Sequence, residues 1–68
     1  WVRLALELLE PEDREIVRLR DYDQLSFGAI AAQLGLTEDA ARMRHKRAMP
    51  KLARTLESLR TGRVGDLL

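Results

Sequence analysis

Basic side chains are concentrated in one short stretch of the chain, residues 38–54. This stretch holds six basic residues and only two acidic ones. Arginine and lysine donate hydrogen bonds to phosphate oxygens, and both can donate to guanine O6 and N7 at a base edge. A charge run often marks only a solvated helix face. Here the bases fall where a DNA-binding helix would need them, which favours a nucleic-acid partner. The six are Arg42, Arg44, Lys46, Arg47, Lys51 and Arg54.

A helix over residues 38–59 separates these side chains into faces, because successive residues turn by about 100°. The inner stripe contains Ala41, His45, Ala48, Leu52, Leu56 and Leu59. The residues predicted to lie nearest base edges are Arg42, Met43, Lys46 and Arg47, with methionine available for a thymine methyl group. The residues predicted to contact phosphates are Arg44, Lys51 and Arg54. Thr37, at the start of this helix, completes the predicted DNA-binding set.

His45 is the only histidine, and its surroundings in the sequence favour a structural role. A metal site would need companion ligands, and the chain has no cysteine and no second histidine. A catalytic base would need a nucleophile, yet Ser26 and Ser58 are both accounted for by helices. We therefore expect His45 to be partly buried on the inner stripe, with a hydrogen bond or water at one ring nitrogen. We expect no cofactor and no enzymatic activity.

Local signals around the basic helix predict a helix-turn-helix over residues 26–49. Ser26 can cap the first helix, and Leu25 and Ile30 have the spacing of a hydrophobic staple. Gly35 can end that helix in the left-handed conformation. Thr37 then offers a second cap hydroxyl, followed by two acidic residues that suit a helix N-terminus.

The remaining sequence predicts an all-α domain of four helices, or five if Pro50 breaks the last one. A short helix is expected over residues 2–9, a second from Pro11, and a turn over residues 21–24 with Tyr22 folded back as a partly buried ring. A kink or break is expected near residues 46–50. Helical pattern stops at residues 61–62, and residues 62–68 form a predicted flexible tail. No wing of strands is expected.

Composition limits the possible functions. A chain of 68 residues buries only about 60% of its unfolded surface, which leaves little room for an enclosed active site. The net charge is +1, but residues 1–25 hold seven acidic and four basic residues, so the molecule is dipolar. No segment can span a membrane, and no signal peptide is visible. Because the chain starts with Trp1, we expect a domain from a longer cytoplasmic protein.

Three motifs resemble the fourth conserved region of bacterial sigma factors of the sigma-seventy family, most closely the extracytoplasmic-function types. They are REIVRLR at residues 14–20, LSFGAIAAQLGLT at residues 25–37, and RMRHKRAMPKL at residues 42–52. The resemblance covers residues 4–60. His45 departs from it, since leucine or isoleucine is usual there, and so does Met43, where a small polar residue is frequent.

The resemblance implies a promoter-recognition domain. In this family the second helix of the helix-turn-helix binds the minus-thirty-five element, and the other helices hold the flap of the RNA polymerase β subunit. Anti-sigma factors often cover both surfaces. At the positions that match, the resemblance implies that four residues contact DNA bases or the DNA backbone: Arg42, Met43, Lys46 and Arg47.

Two other functions remain open from the residues. The chain can be a sigma-like interaction module that binds polymerase or an anti-sigma factor without specific DNA binding. It can also be the effector domain of a response regulator, which has a similar four-helix layout. The Arg47-Ala48 pair favours the sigma resemblance over the second alternative.

Overall fold

The computed structural model describes residues 1–62, and every regular element in that range is helical. Helix α1 is Val2–Glu7 and helix α2 is Pro11–Val17, which continues into a π-helical segment, Arg18–Tyr22. Helix α3 is Phe27–Leu34 and helix α4 is Glu38–Arg60. The predicted all-α class with four helices is confirmed.

Helix α4 is the element on which the others pack, since α1, α2 and α3 all contact it. The largest fully buried side chains come from the elements that cover it: Ile16, Val17, Leu19 and Ile30. On α4 itself the predicted inner stripe is correct, because Ala41, Ala48, Leu52 and Leu59 are buried and Leu56 packs against the core. The small residues at 41 and 48 let neighbouring helices approach α4 closely.

The corner between α3 and α4 forms as the sequence predicts. The Ala29 N–H donates to Ser26 Oγ over 3.1 Å, which caps α3. Gly35 ends α3 with φ +70°, and the Leu36 N–H donates to the Ala31 carbonyl over 2.8 Å. No atom lies within 4 Å of a Cβ built on Gly35. Backbone conformation, and not space, therefore requires glycine at this position.

Pro50 does not break the last helix, so of the two alternatives the four-helix one is realised. Helix α4 continues through Pro50 to Arg60 and stops at Thr61 and Gly62, as predicted. Proline removes the N–H that would have bonded to the Lys46 carbonyl. Lys46 and Pro50 are both exposed, so water can satisfy that carbonyl, while Ala48 and Leu52 hold both halves of the helix in the core.

Two further expectations are corrected near the α2 end. Tyr22 is 53% exposed, not folded back. The turn also starts later than predicted, because residues up to Tyr22 are π-helical and the Asp23 N–H donates to the Arg18 carbonyl. The predicted tail from residue 63 onward lies outside the described residues.

Candidate nucleic-acid interface

The N-terminus of α4 is fixed by Thr37. Its Oγ1 accepts a hydrogen bond from the Ala40 N–H at 3.0 Å, which confirms the predicted cap. Glu38 and Asp39 occupy the first turn, where negative charge is stabilised by the helix dipole. Thr37 is exposed, so its hydroxyl proton remains free to donate outward.

The face of α4 opposite the inner stripe is exposed, as the helical wheel predicts. Met43 is 46% exposed, an unusual fraction for a large apolar side chain. Four bases of α4 form no ion pair within residues 1–62, and three of them are exposed while Arg44 is half-buried. These four, Arg44, Lys46, Arg47 and Arg54, are called here the unpaired bases. Their charge is uncompensated and is available to a polyanion.

Arg42 differs from the unpaired bases because its guanidinium group contacts three other side chains. Its Nη1–H donates to Asp39 Oδ1 at 2.9 Å, and its Nη2–H donates to Glu38 Oε1 at 3.2 Å. Its guanidinium carbon lies 5.4 Å from the centre of the Phe27 ring, within cation–π range. The helical wheel predicted that Arg42 faces away from the core, but it did not predict these three contacts.

Lys51 is also held, by a carboxylate from α2. Its Nζ donates to Asp13 Oδ2 at 2.9 Å, and the Asp13 side chain is only 10% exposed. The two residues lie along a groove of about 600 Å³ between α2 and α4. The unpaired bases, Met43 and Pro50 line its other wall, with Glu12 on the α2 side. The groove is therefore basic along α4 and acidic along α2.

His45 is partly buried and hydrogen-bonded, as predicted. Its side chain is 18% exposed, and Nε2 lies 2.9 Å from Asp21 Oδ2 in the π-helical segment. Its ring also meets Phe27 edge to face, with ring centres 5.7 Å apart. The contact joins α4 to the segment before α3, so His45 supports the position of α4 and lies away from the exposed face.

Comparison with known proteins identifies the family of the chain. A family model described as Sigma-70, region 4 matches residues 5–54. The chain belongs to this family. Neither the curated proteins nor the solved structures gave a match. Region 4 is a DNA-binding domain of sigma factors that acts in promoter recognition during transcription initiation, together with RNA polymerase, and it is not a catalytic family.

The sigma region 4 domain has no group of metal ligands in its described part. Among residues 1–62 no three His, Asp or Glu side chains converge into a possible metal site. Within the same range every helix is too short or too polar to traverse a lipid bilayer.

Two arginines, one in the π-helical segment and one at the last position of α4, have a raised pKa. The hydrogen bond and charge of Glu15 raise the pKa of Arg18, and those of Glu57 raise the pKa of Arg60. Each of these guanidinium groups is hydrogen-bonded to a carboxylate of the domain itself. Neither arginine is in the predicted DNA-binding set.

Sequence reasoning did not predict the contacts that Phe27 and Asp13 make with bases of α4. Asp13 lies 38 positions from Lys51, and no local pattern links them. Phe27 could have been noticed as a half-buried aromatic at the first position of α3, beside the predicted cap. Both residues act on α4 bases from other elements, which only the folded structure shows.

Proposed function

We propose that this domain reads the promoter minus-35 element with the exposed face of α4, in the major groove. The observation that carries the proposal is the set of unpaired bases on that face, at the second helix of a helix-turn-helix in a sigma region 4 domain. A recognition helix needs exposed donors that no acidic neighbour neutralises, and α4 presents three, Lys46, Arg47 and Arg54, with the half-buried Arg44 as a fourth unpaired base. A protein of this function works in the cytoplasm, where bacterial promoters and polymerase are found.

The predicted readers divide by their surroundings. Lys46 and Arg47 are exposed and unpaired, so they reach DNA without breaking any contact. Met43 offers an apolar surface for a thymine methyl group between them and Arg42. Arg44 and Arg54 flank these readers and are proposed to contact phosphates. Lys51 is proposed to do the same, either by breaking its ion pair with Asp13 or by contacting Asp13 and a phosphate together.

The test is duplex binding by an Arg42→Ala, Arg47→Ala double variant. The 68-residue chain first selects its preferred duplex from a randomised library. We expect the double variant to bind that duplex at least about 10-fold more weakly, because each reader contributes about 1–3 kcal/mol of discrimination. Affinity for a scrambled duplex is expected to fall much less.

The matched control removes two exposed arginines from other helices, Arg3→Ala and Arg14→Ala. It changes the net charge by the same amount and is expected to leave the preference for the selected duplex intact. Equal losses in the two double variants would mean that only net charge matters. Selection of no preferred sequence by the wild-type chain would favour the alternative of an interaction module without specific DNA binding.

We also propose that α1 supplies the docking surface for the polymerase β flap. Trp1, Leu4 and Leu8 are 78%, 48% and 40% exposed and lie one or two helical turns apart on one side of α1. Three large apolar side chains on one exposed face favour a protein partner. An anti-sigma factor would act by covering this face, the α4 face, or both.

The flap proposal is tested with Leu4→Gln and Leu8→Gln together. Glutamine keeps the helix propensity of the site and removes the apolar surface. We expect capture of the β flap to be lost while affinity for the selected duplex is unchanged. Met49→Gln, which alters an exposed apolar residue on α4, is the control. Flap capture by the α1 variant at the wild-type level would refute the assignment.

A further inference from the structure

One aromatic ring touches three side chains that carry or can carry positive charge. The guanidinium carbon of Arg20 lies 4.4 Å from the centre of the Phe27 ring, and that of Arg42 lies 5.4 Å away. His45 meets the same ring at an interplanar angle of 65°. Phe27 thus links the π-helical segment, α3 and α4 at the end of α4 where base contacts are expected.

Each neighbour of the ring is also held by a second contact. Arg20 Nη1–H donates to the Leu25 carbonyl at 3.0 Å, and His45 Nε2 lies against Asp21. Phe27, Arg20 and His45 therefore form a frame that is held by contacts independent of the Arg42 side chain. Among the predicted base readers, Arg42 is the one whose head group touches this frame.

The contacts of Arg42 leave part of its hydrogen-bonding capacity unused. A guanidinium has five N–H donors, and the carboxylates of Asp39 and Glu38 take one from each terminal nitrogen. One donor on each terminal nitrogen and the Nε–H remain. A guanidinium fixed in this way loses less rotational freedom when it binds a base than a free one does.

We propose that Phe27 is a positioning residue for base readout, holding the Arg42 guanidinium in the orientation in which it meets the DNA. The inference rests on the proposed role of Arg42 as a reader. It assigns part of the sequence discrimination to a residue on α3 that does not contact DNA. Phe27 then affects the ratio of specific to non-specific affinity, whereas a purely structural residue affects stability and both affinities together.

The first measurement needs no variant. In the proton NMR spectrum of the free wild-type chain, the Arg42 side-chain protons are expected to be shifted by the Phe27 ring current. The exposed, unpaired Arg47 provides the reference, with shifts near those of a disordered chain. Matching shifts for the two arginines would overturn the proposal, whether or not any Phe27 variant folds.

The second measurement uses Phe27→Leu and Phe27→Tyr. Leucine keeps most of the apolar volume but has no ring face, so the ratio of affinities for selected and scrambled duplexes is expected to fall about 3- to 5-fold, the range of one cation–π contact. Tyrosine restores the face and should restore the ratio. Leu34→Ala, which also weakens the packing of α3, is the control and should leave the ratio unchanged. A ratio that falls equally for Leu34→Ala would overturn the proposal.

A double-mutant comparison separates this inference from the proposed function. Phe27→Leu should have no further effect on the ratio once Arg42 is alanine. If Arg42→Ala alone leaves the ratio unchanged, Arg42 is not a reader and the proposed function fails at that residue. If Arg42→Ala lowers the ratio but Phe27→Leu does not, Arg42 reads DNA without the help of Phe27, and only the positioning role is refuted.

Discussion

The acidic side chains of α2 and the π-helical segment differ from the basic side chains of α4 in how many have a partner within the domain. From α2 to the residue after the π-helical segment, most acidic groups have a partner: Asp13 pairs with Lys51, Glu15 and Asp23 pair with Arg18, and Asp21 is hydrogen-bonded to His45. Along α4, four bases have no ion pair within residues 1–62. These four bases are left available to a polyanion.

The exposed surfaces of α1 and α4 also differ in chemistry. Helix α1 presents large apolar side chains to solvent, which suits a protein partner. The α4 face presents donors and one methionine, which suits the edges and backbone of a duplex. The comparison teaches that one small core supports two surfaces of different chemistry. The following variants test whether the surfaces are independent of each other and of that core.

The largest effect is expected from Ile30→Ala. Ile30 is fully buried between the surfaces, and its truncation should lower the free energy of unfolding by about 2–5 kcal/mol. Because a domain of this size has little stability to lose, flap capture and duplex binding should decline together. Urea unfolding gives the stability, and both binding assays are repeated at a temperature where the variant is partly folded. Loss of only one activity would show that the surfaces do not share this core.

A smaller effect is expected from Thr37→Ala. The variant removes the acceptor for the Ala40 N–H and should cost about 1 kcal/mol of stability. Duplex affinity should fall as well if the hydroxyl also donates to DNA, while flap capture should be unaffected. Thr37→Ser keeps the hydroxyl and is the control. Wild-type duplex affinity for Thr37→Ala would restrict Thr37 to capping.

The smallest effect on stability is expected from Asp13→Asn. The pair with Lys51 is half exposed on the lysine side, so its loss should cost about 1 kcal/mol or less. The same change removes a negative charge from the groove and frees Lys51 for phosphate. Duplex affinity measured at low salt should therefore rise about 2- to 5-fold, and Glu7→Gln on the distant α1 serves as the charge-matched control. A fall in affinity specific to Asp13→Asn would show that the pair orients Lys51 for DNA.

The parts of the fold that could be predicted from sequence are those set by neighbouring residues. Ser26, Gly35 and Thr37 each satisfy a requirement of the chain within four residues of themselves, so their roles follow from residue type and spacing. The inner stripe of α4 is also predictable, because helical periodicity fixes which side chains share a face. Thr55 is buried beside this stripe and was missed, since its hydroxyl is satisfied by the Lys51 carbonyl one turn earlier.

The parts that could not be predicted depend on contacts distant in sequence. The helix continues past Pro50 because Ala48 and Leu52 are buried on either side, and tertiary packing outweighs one lost hydrogen bond. The pairing of Asp13 with Lys51 and the contact of Phe27 with Arg42 join different helices. The wheel identified the exposed face of α4 but could not distinguish held bases from unpaired ones.

The central claim is that the unpaired bases of α4 hold duplex DNA, and the salt dependence of affinity tests it most directly. With three phosphate contacts proposed, from Arg44, Lys51 and Arg54, the logarithm of the association constant should fall with the logarithm of salt concentration with a slope of about −3. An Arg44→Gln, Arg54→Gln variant, which removes the two unpaired bases assigned to phosphates, should make that slope shallower by about 2. A slope unchanged by these two substitutions would contradict the claim.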